Sequence, residues 1–98
     1  MKWIDTMNKF SNDPFTSKYP SLDLHGETRD TMIHPLKDFL NDNIKLKNRN
    51  VAIIHGIGLG ILKKTTHLIL NKDKRVKSYY VSMYNPGCTI VELKIDKH

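Results

Sequence analysis

Two short stretches hold the side chains that can do chemistry. "LDLHG" at 22–26 supplies Asp23 and His25, and "HGIGLG" at 55–60 supplies His55 followed by Gly56, Gly58 and Gly60. An imidazole changes charge near neutral pH, so it can take and return a proton. A carboxylate two residues before a histidine can orient or charge it. A glycine-rich turn leading into a helix lets a phosphate approach bare backbone, and a helix N-terminus adds free N–H groups and partial positive charge. The combination points to a catalytic or phosphate-binding site. Lys63 and Lys64, one turn beyond the glycines, can hold further phosphates of a strand lying across them.

Two other uses compete for the glycines. A nucleotide cradle would need G-x-G-x-x-G and an acidic residue about 20 positions on. Here the spacing is G-x-G-x-G, and Tyr80 stands at that offset from Gly60. The G-x-x-x-x-G-K-[ST] frame fails as well, because Thr65 comes too late after Lys63 and Lys64. Close helix–sheet packing would need one or two glycines rather than three. Phosphate or backbone contact is the favoured expectation. His34, His67 and His98 are read as helix surface, helix surface and tail. Tyr79, Tyr80 and Tyr84 can stack on bases, though half-buried packing is the commoner use of strand tyrosines.

The elements that must position these residues follow from periodicity. "SLDLH" (21–25) alternates apolar and polar, which predicts a short strand ended by Gly26. Met32, Ile33, Leu36, Phe39, Leu40 and Ile44 form one helical stripe, with Thr28, Asp30 or Thr31 as candidate caps. Pro35 requires that this helix begin close before it. "VAIIH" (51–55) is a buried strand with β-branched residues on both faces. Ile61, Leu62, Thr65, Leu68 and Ile69 define the inner side of a second helix. "RVKSYYVSM" and "CTIVELKI" are strands joined through the turn "YNPG" at 84–87. The order β-α-β-α-β-β predicts an α/β (α+β) sandwich: a mixed four-stranded sheet with two main helices and one strand antiparallel. His25 and His55 then end neighbouring parallel strands at one sheet edge, where open α/β sheets bind ligands.

Residues 1–20 read as an arm, with Trp3, Ile4, Met7 and Phe10 at the spacing of a short helix over about 2–10, then an irregular stretch. Residues 21–98 read as the domain. The 98-residue chain is one domain in length, with 39% hydrophobic and 27% charged residues. No segment approaches the roughly 18 apolar residues of a membrane span, and the N-terminus has no apolar run of signal-peptide length. The single cysteine permits no internal disulfide, so a cytoplasmic, non-membrane protein is expected. No Cys or His pair has zinc-finger spacing, and no metal ligands are assigned. A net charge of +6 favours anionic partners, nucleic acid first.

With "LDLHG", "HGIGLG" and "RVKSY…GCTIVELK" (75–94) in view, the chain resembles the Smr (small MutS-related) domain over residues 21–95. The resemblance implies a β-α-β-α-β-β sandwich similar to the C-terminal domain of a bacterial translation initiation factor. It also implies nucleic-acid binding and, in many members, endonuclease activity, either DNA nicking or RNA cleavage. The family motif carries over to Asp23, His25 and Gly26, and to His55, Gly56, Gly58 and Gly60. Pro35 and the short "MYNPG" loop depart from the usual pattern. RNA carries its own 2′-OH nucleophile, so one imidazole as base and another as acid suffice, and His25 and His55 fit that pair with Asp23 orienting His25. DNA needs an activated water, usually on a divalent metal, so a divalent metal enters only if DNA is the substrate. The rival expectation is a non-catalytic module on ribosomal RNA or branched DNA, with the ribosome as a partner.

Overall fold

Leu22 and Leu24 lie on one face of the sheet with Val51, Ile53, Val91 and Leu93, and all six are buried. The period-two alternation of these strands is what gathers them there. The computed structural model describes residues 3–4 and 19–95. Its elements are β1 (Trp3–Ile4), β2 (Ser21–Asp23), α1 (Ile33–Lys45), β3 (Asn50–Ile54), α2 (Ile61–Lys72), β4 (Val76–Val81) and β5 (Cys88–Leu93). The sheet order is β1-β2-β3-β5-β4. β2 pairs with β3 in parallel, and β5 is antiparallel to both β3 and β4. The expected mixed four-stranded sheet with two helices is therefore present, with β5 inserted between β3 and β4.

The two-residue β1 adds a fifth strand, antiparallel to β2. Trp3 and Ile4 are thus extended, not helical as their spacing predicts. The edge of β2 offers ladder partners that a short isolated helix lacks. The rest of the helix expected over 2–10 lies outside the described residues.

The stripe on α1 holds: Met32, Leu36, Phe39 and Leu40 are buried against the sheet. Pro35 sits in the first turn, where a missing N–H costs nothing. None of the expected cap residues caps α1 itself; the N-cap is Met32, without a side-chain bond. Thr28 and Thr31 instead lock the preceding turn, each accepting the other's backbone N–H. On α2 the inner side is Leu62, Thr65, Thr66, Ile69 and Leu70, while Ile61 and Leu68, both expected inside, are about half exposed. The second sheet face buries Ala52, Cys88 and Ile90, with Tyr19 and Ile54 packed against them. Among the described residues no helix is long and apolar enough to cross a membrane.

Candidate functional site

Because β2 and β3 are parallel, the segments after both strands emerge at the same edge. Between them and the start of α2 opens a cleft of about 1180 Å³, lined by Asp23, His25, Gly26, His55, the whole 56–60 turn and Lys63. Glu27, Arg29 and Asp30 complete its charged rim. Lys64 is exposed and stands outside this lining.

The turn is glycine-rich for conformation rather than for packing. Gly56, Gly58 and Gly60 have φ of 82°, 33° and 80°, in the region that side chains rarely adopt. A Cβ added at any of the three would meet nothing within 4 Å. Close helix–sheet packing at these positions is thereby ruled out, and the surface before them is open. The close approach occurs at Gly87, where an added Cβ would stand 3.1 Å from the Gly56 Cα. The Gly87 carbonyl accepts both the His55 and Gly56 N–H groups at 2.9 Å, so the short β4–β5 turn braces the glycine turn. Gly60 is the N-cap of α2 and offers no side-chain cap. The first helical N–H taken inside α2 is that of Lys64, which donates to the Gly60 carbonyl. The preceding N–H groups of the helix's first turn are left for a ligand facing the cleft.

The two strand-end histidines differ sharply. His25 is exposed at the cleft mouth. Asp23 does not orient its ring: the Asp23 carboxylate accepts the His25 backbone N–H at 2.8 Å, closing an Asx turn that fixes the main chain. His55 is only 5% exposed, and both ring nitrogens are occupied. Its Nδ1 lies 2.9 Å from the Gly56 carbonyl oxygen, and its Nε2 2.8 Å from Thr89 Oγ1. A carbonyl only accepts, so Nδ1 carries the hydrogen. Burial lowers the His55 pKa, with the nearby His67 and Lys63 acting in the same direction, and the neutral ring leaves Nε2 to accept from the Thr89 hydroxyl.

His67, expected on the helix surface, belongs to this network. Its Nε2 is 2.8 Å from the same Thr89 Oγ1. The hydroxyl gives its one hydrogen to His55, so His67 donates. The His67 ring stands edge-on to His55 at 6.1 Å and 4.8 Å from the Tyr79 ring. Tyr79 in turn donates to Asn71 at 2.8 Å. Burial and Lys63 lower the His67 pKa as well. A run from His67 through Thr89 and His55 to Gly56 therefore pins the glycine turn from below. No single-sequence signal marks His67; only the pairing of α2 with β5 reveals it. His34 is on the surface as expected, 3.1 Å from Asp38, and His98 lies outside the described residues.

Tyr80 and Tyr84 are 56% and 62% exposed, whereas Tyr79 is half-buried. Among the described residues no three His, Cys, Asp or Glu side chains gather as a metal-ligand set. The donors among the described residues do not fit a resident divalent ion.

Residues 22–94 match the family model for the Smr domain. The chain is 38% identical over 78 residues to "Endonuclease MutS2" of Halothermothrix orenii, covering 76% of this chain and 10% of that protein. It is 35% identical over 89 residues to the same-named protein of Caldanaerobacter subterraneus, covering 88% and 11%. The chain thus spans about a tenth of the length of these relatives. Among solved structures, the Smr domain of Thermus thermophilus MutS2 superposes with a TM-score of 0.72 at 28% identity, covering 74% of this chain and 95% of that one. The stand-alone small MutS-related protein YdaL of Escherichia coli gives 0.75 at 25% identity, covering 79% and 68%.

Proposed function

Since this chain belongs to the Smr domain family, we propose that it binds nucleic acid and cleaves a phosphodiester in the cleft between "LDLHG" and "HGIGLG". The observation that carries this reading is the cleft itself: an exposed imidazole faces open glycine backbone and the uncapped start of α2. The helix start and Lys63 supply positive potential for a phosphate. Gly58 and Gly60 let the strand approach, while Gly56 is held by its bond to Gly87. Lys64 contacts a strand only beyond the cleft's lining. The names of the MutS2 relatives, which call them endonucleases, support the activity class.

RNA is the favoured substrate, because its 2′-OH needs no metal-activated water. His25 takes the 2′-OH proton, the 2′-oxygen attacks phosphorus, and the P–O5′ bond breaks. The products are a 2′,3′-cyclic phosphate and a 5′-OH that receives its proton from water. Asp23 fixes the main chain that presents His25. His55 is a positioning residue here: it has no vacant ring nitrogen to offer, and it holds the turn on which the phosphate rests. The buried Cys88 is in keeping with a reducing, cytoplasmic setting.

A second reading, a non-catalytic nucleic-acid or ribosome-binding module, is favoured by the state of the two rings. An acid–base pair needs two available groups, and the structure leaves only the His25 ring unengaged of the two strand-end imidazoles. The deciding experiment uses end-labelled RNA and supercoiled plasmid, each with and without chelator. RNA cut in chelator, leaving a cyclic phosphate, supports the cleavage reading. Plasmid nicking that chelator abolishes moves the substrate to DNA. Salt-sensitive binding with no cut under either condition supports the module.

A further inference from the structure

The cleft does not hold most of the chain's positive charge. Of the cations in its lining, only Arg29 and Lys63 are permanently charged, and Asp23, Glu27 and Asp30 oppose them. At the other end of the sheet, where β3 begins and β5 ends, a second groove of about 520 Å³ is lined by Lys47, Arg49, Lys77 and Lys94. Ile44, Leu93 and Ile95 form its apolar lining, and Glu92 is its one carboxylate. Glu92 lies 3.6 Å from Lys77, which leaves Lys47, Arg49 and Lys94 without an ion pair among the described residues. By contrast, Arg75 nearby is engaged: it makes a two-pronged pair with Asp73 and reaches Asn41. Helix C-termini attract cations, but each carries only about half a unit of negative charge within its last turn. That accounts for one lysine, not for this cluster.

Lys47 adds a second, independent sign. It is the one non-glycine residue with positive φ among the described residues, at 60°. It ends α1 in a Schellman arrangement: the Lys47 N–H donates to the Ile44 carbonyl and the Asn48 N–H to the Asn43 carbonyl. Glycine is the residue this position favours, because a side chain there is strained. The fold tolerates that strain at a residue that lines the groove. A non-glycine residue at a position that favours glycine is a reason to look for function.

We propose that this groove is a second contact for the phosphate backbone of nucleic acid, at the end of the sheet opposite the cleft. It goes beyond the cleft reading and does not need cleavage to be correct. Six residue steps along β3 and its flanks lead from Arg49 to His55, which at roughly 3.3 Å per step sets the two sites about 20 Å apart. A short nucleic acid held in the cleft cannot also fill the groove, whereas a long one can engage both. An acidic protein segment is the competing partner, and the assay below includes it.

The test measures binding by fluorescence anisotropy over a salt series, with a labelled trinucleotide, too short to bridge about 20 Å, and a duplex of about 40 base pairs, spanning roughly 136 Å at 3.4 Å per pair. The wild-type chain is compared with a Lys47→Glu/Arg49→Glu/Lys94→Glu variant and with Lys47→Gly alone. Each phosphate that no longer meets a cation lowers the slope of log K against log salt by about 0.9. The triple variant is expected to drop by about 3 in slope on the long duplex, with affinity down at least about ten-fold, and to match wild type on the trinucleotide held in the cleft. Lys47→Gly is expected to weaken long-duplex binding while its melting temperature holds or rises, because glycine relieves the strain. The proposal is overturned if wild type binds the long duplex and neither variant changes its slope or affinity. It is overturned equally if the triple variant loses only the competition by polyglutamate, which makes the groove a protein-docking site. If wild type binds neither ligand, this proposal fails, while the cleft reading is judged by its own RNA cleavage assay; binding without cleavage leaves this one standing.

Discussion

Two His-Gly pairs end two neighbouring parallel strands, and the structure gives them opposite circumstances. His25 follows β2, which lies toward one side of the sheet, and its ring is exposed at the cleft mouth. His55 follows β3, flanked by β2 and β5, and its ring is buried under α2 with Thr89 on one nitrogen and Gly56 on the other. The same dipeptide therefore does different work according to what the next strand and helix place beside it. A histidine becomes available for chemistry where neighbours leave it alone, and becomes a brace where they supply a partner for each nitrogen.

Breaking the brace has the largest expected effect on stability. His55→Ala removes a buried ring and leaves Thr89 and the Gly56 carbonyl short of partners. The cost is about 3 kcal/mol, read from denaturant unfolding. Thr89→Val is smaller because shape is kept. It leaves two imidazole nitrogens without their shared hydroxyl and costs about 1–3 kcal/mol. A Thr89→Val chain as stable as wild type would show that the hydroxyl bridge carries nothing. Gly60→Ala sharpens the comparison from the other side. Nothing stands within 4 Å of the added methyl, so only the backbone at φ 80° objects, at about 1 kcal/mol. A calorimetric loss much above that would mean that packing, not conformation, selects the glycine.

The smallest effect is on pH dependence. His55 and His67 both have lowered folded-state pKa values, caused first by burial. The unfolded chain therefore binds protons first as pH falls. The stability these neutral rings contribute is complete above the ordinary histidine value of 6.5 and is lost as pH drops below it toward the lowered folded-state values. Unfolding curves should show this loss as pH falls below 6.5, reduced in His67→Gln. A stability flat over that fall would contradict buried, neutral rings.

The architecture is legible because alternation and helical stripes are local signals. The order β-α-β-α-β-β, the parallel β2–β3 pair and the Leu36–Phe39–Leu40 stripe all follow from residue spacing. The gathering of Asp23, His25, His55 and the glycine turn follows from parallel pairing alone. Long-range partners are not legible. Thr89 is 34 residues from His55 and 22 from His67, and no spacing rule joins them. Leu68 reads as core by composition, but α2 is rotated so that Thr66 and Leu70 face inward instead. Trp3 and Ile4 have a helical pattern that a free strand edge overrides. The sequence pairs the Asp23 carboxylate with the wrong atoms of the right residue, because spacing cannot separate a side-chain contact from an Asx turn.

The central claim is that His25 moves the proton and His55 does not. Its most direct test is the single-turnover cleavage rate of His25→Ala on RNA in chelator, with the melting temperature taken on the same preparation. The account predicts a rate lower by about 10²–10⁴ and an unchanged melting temperature, since an exposed ring takes no part in the core. A His25→Ala chain that cuts RNA at the wild-type rate would contradict it.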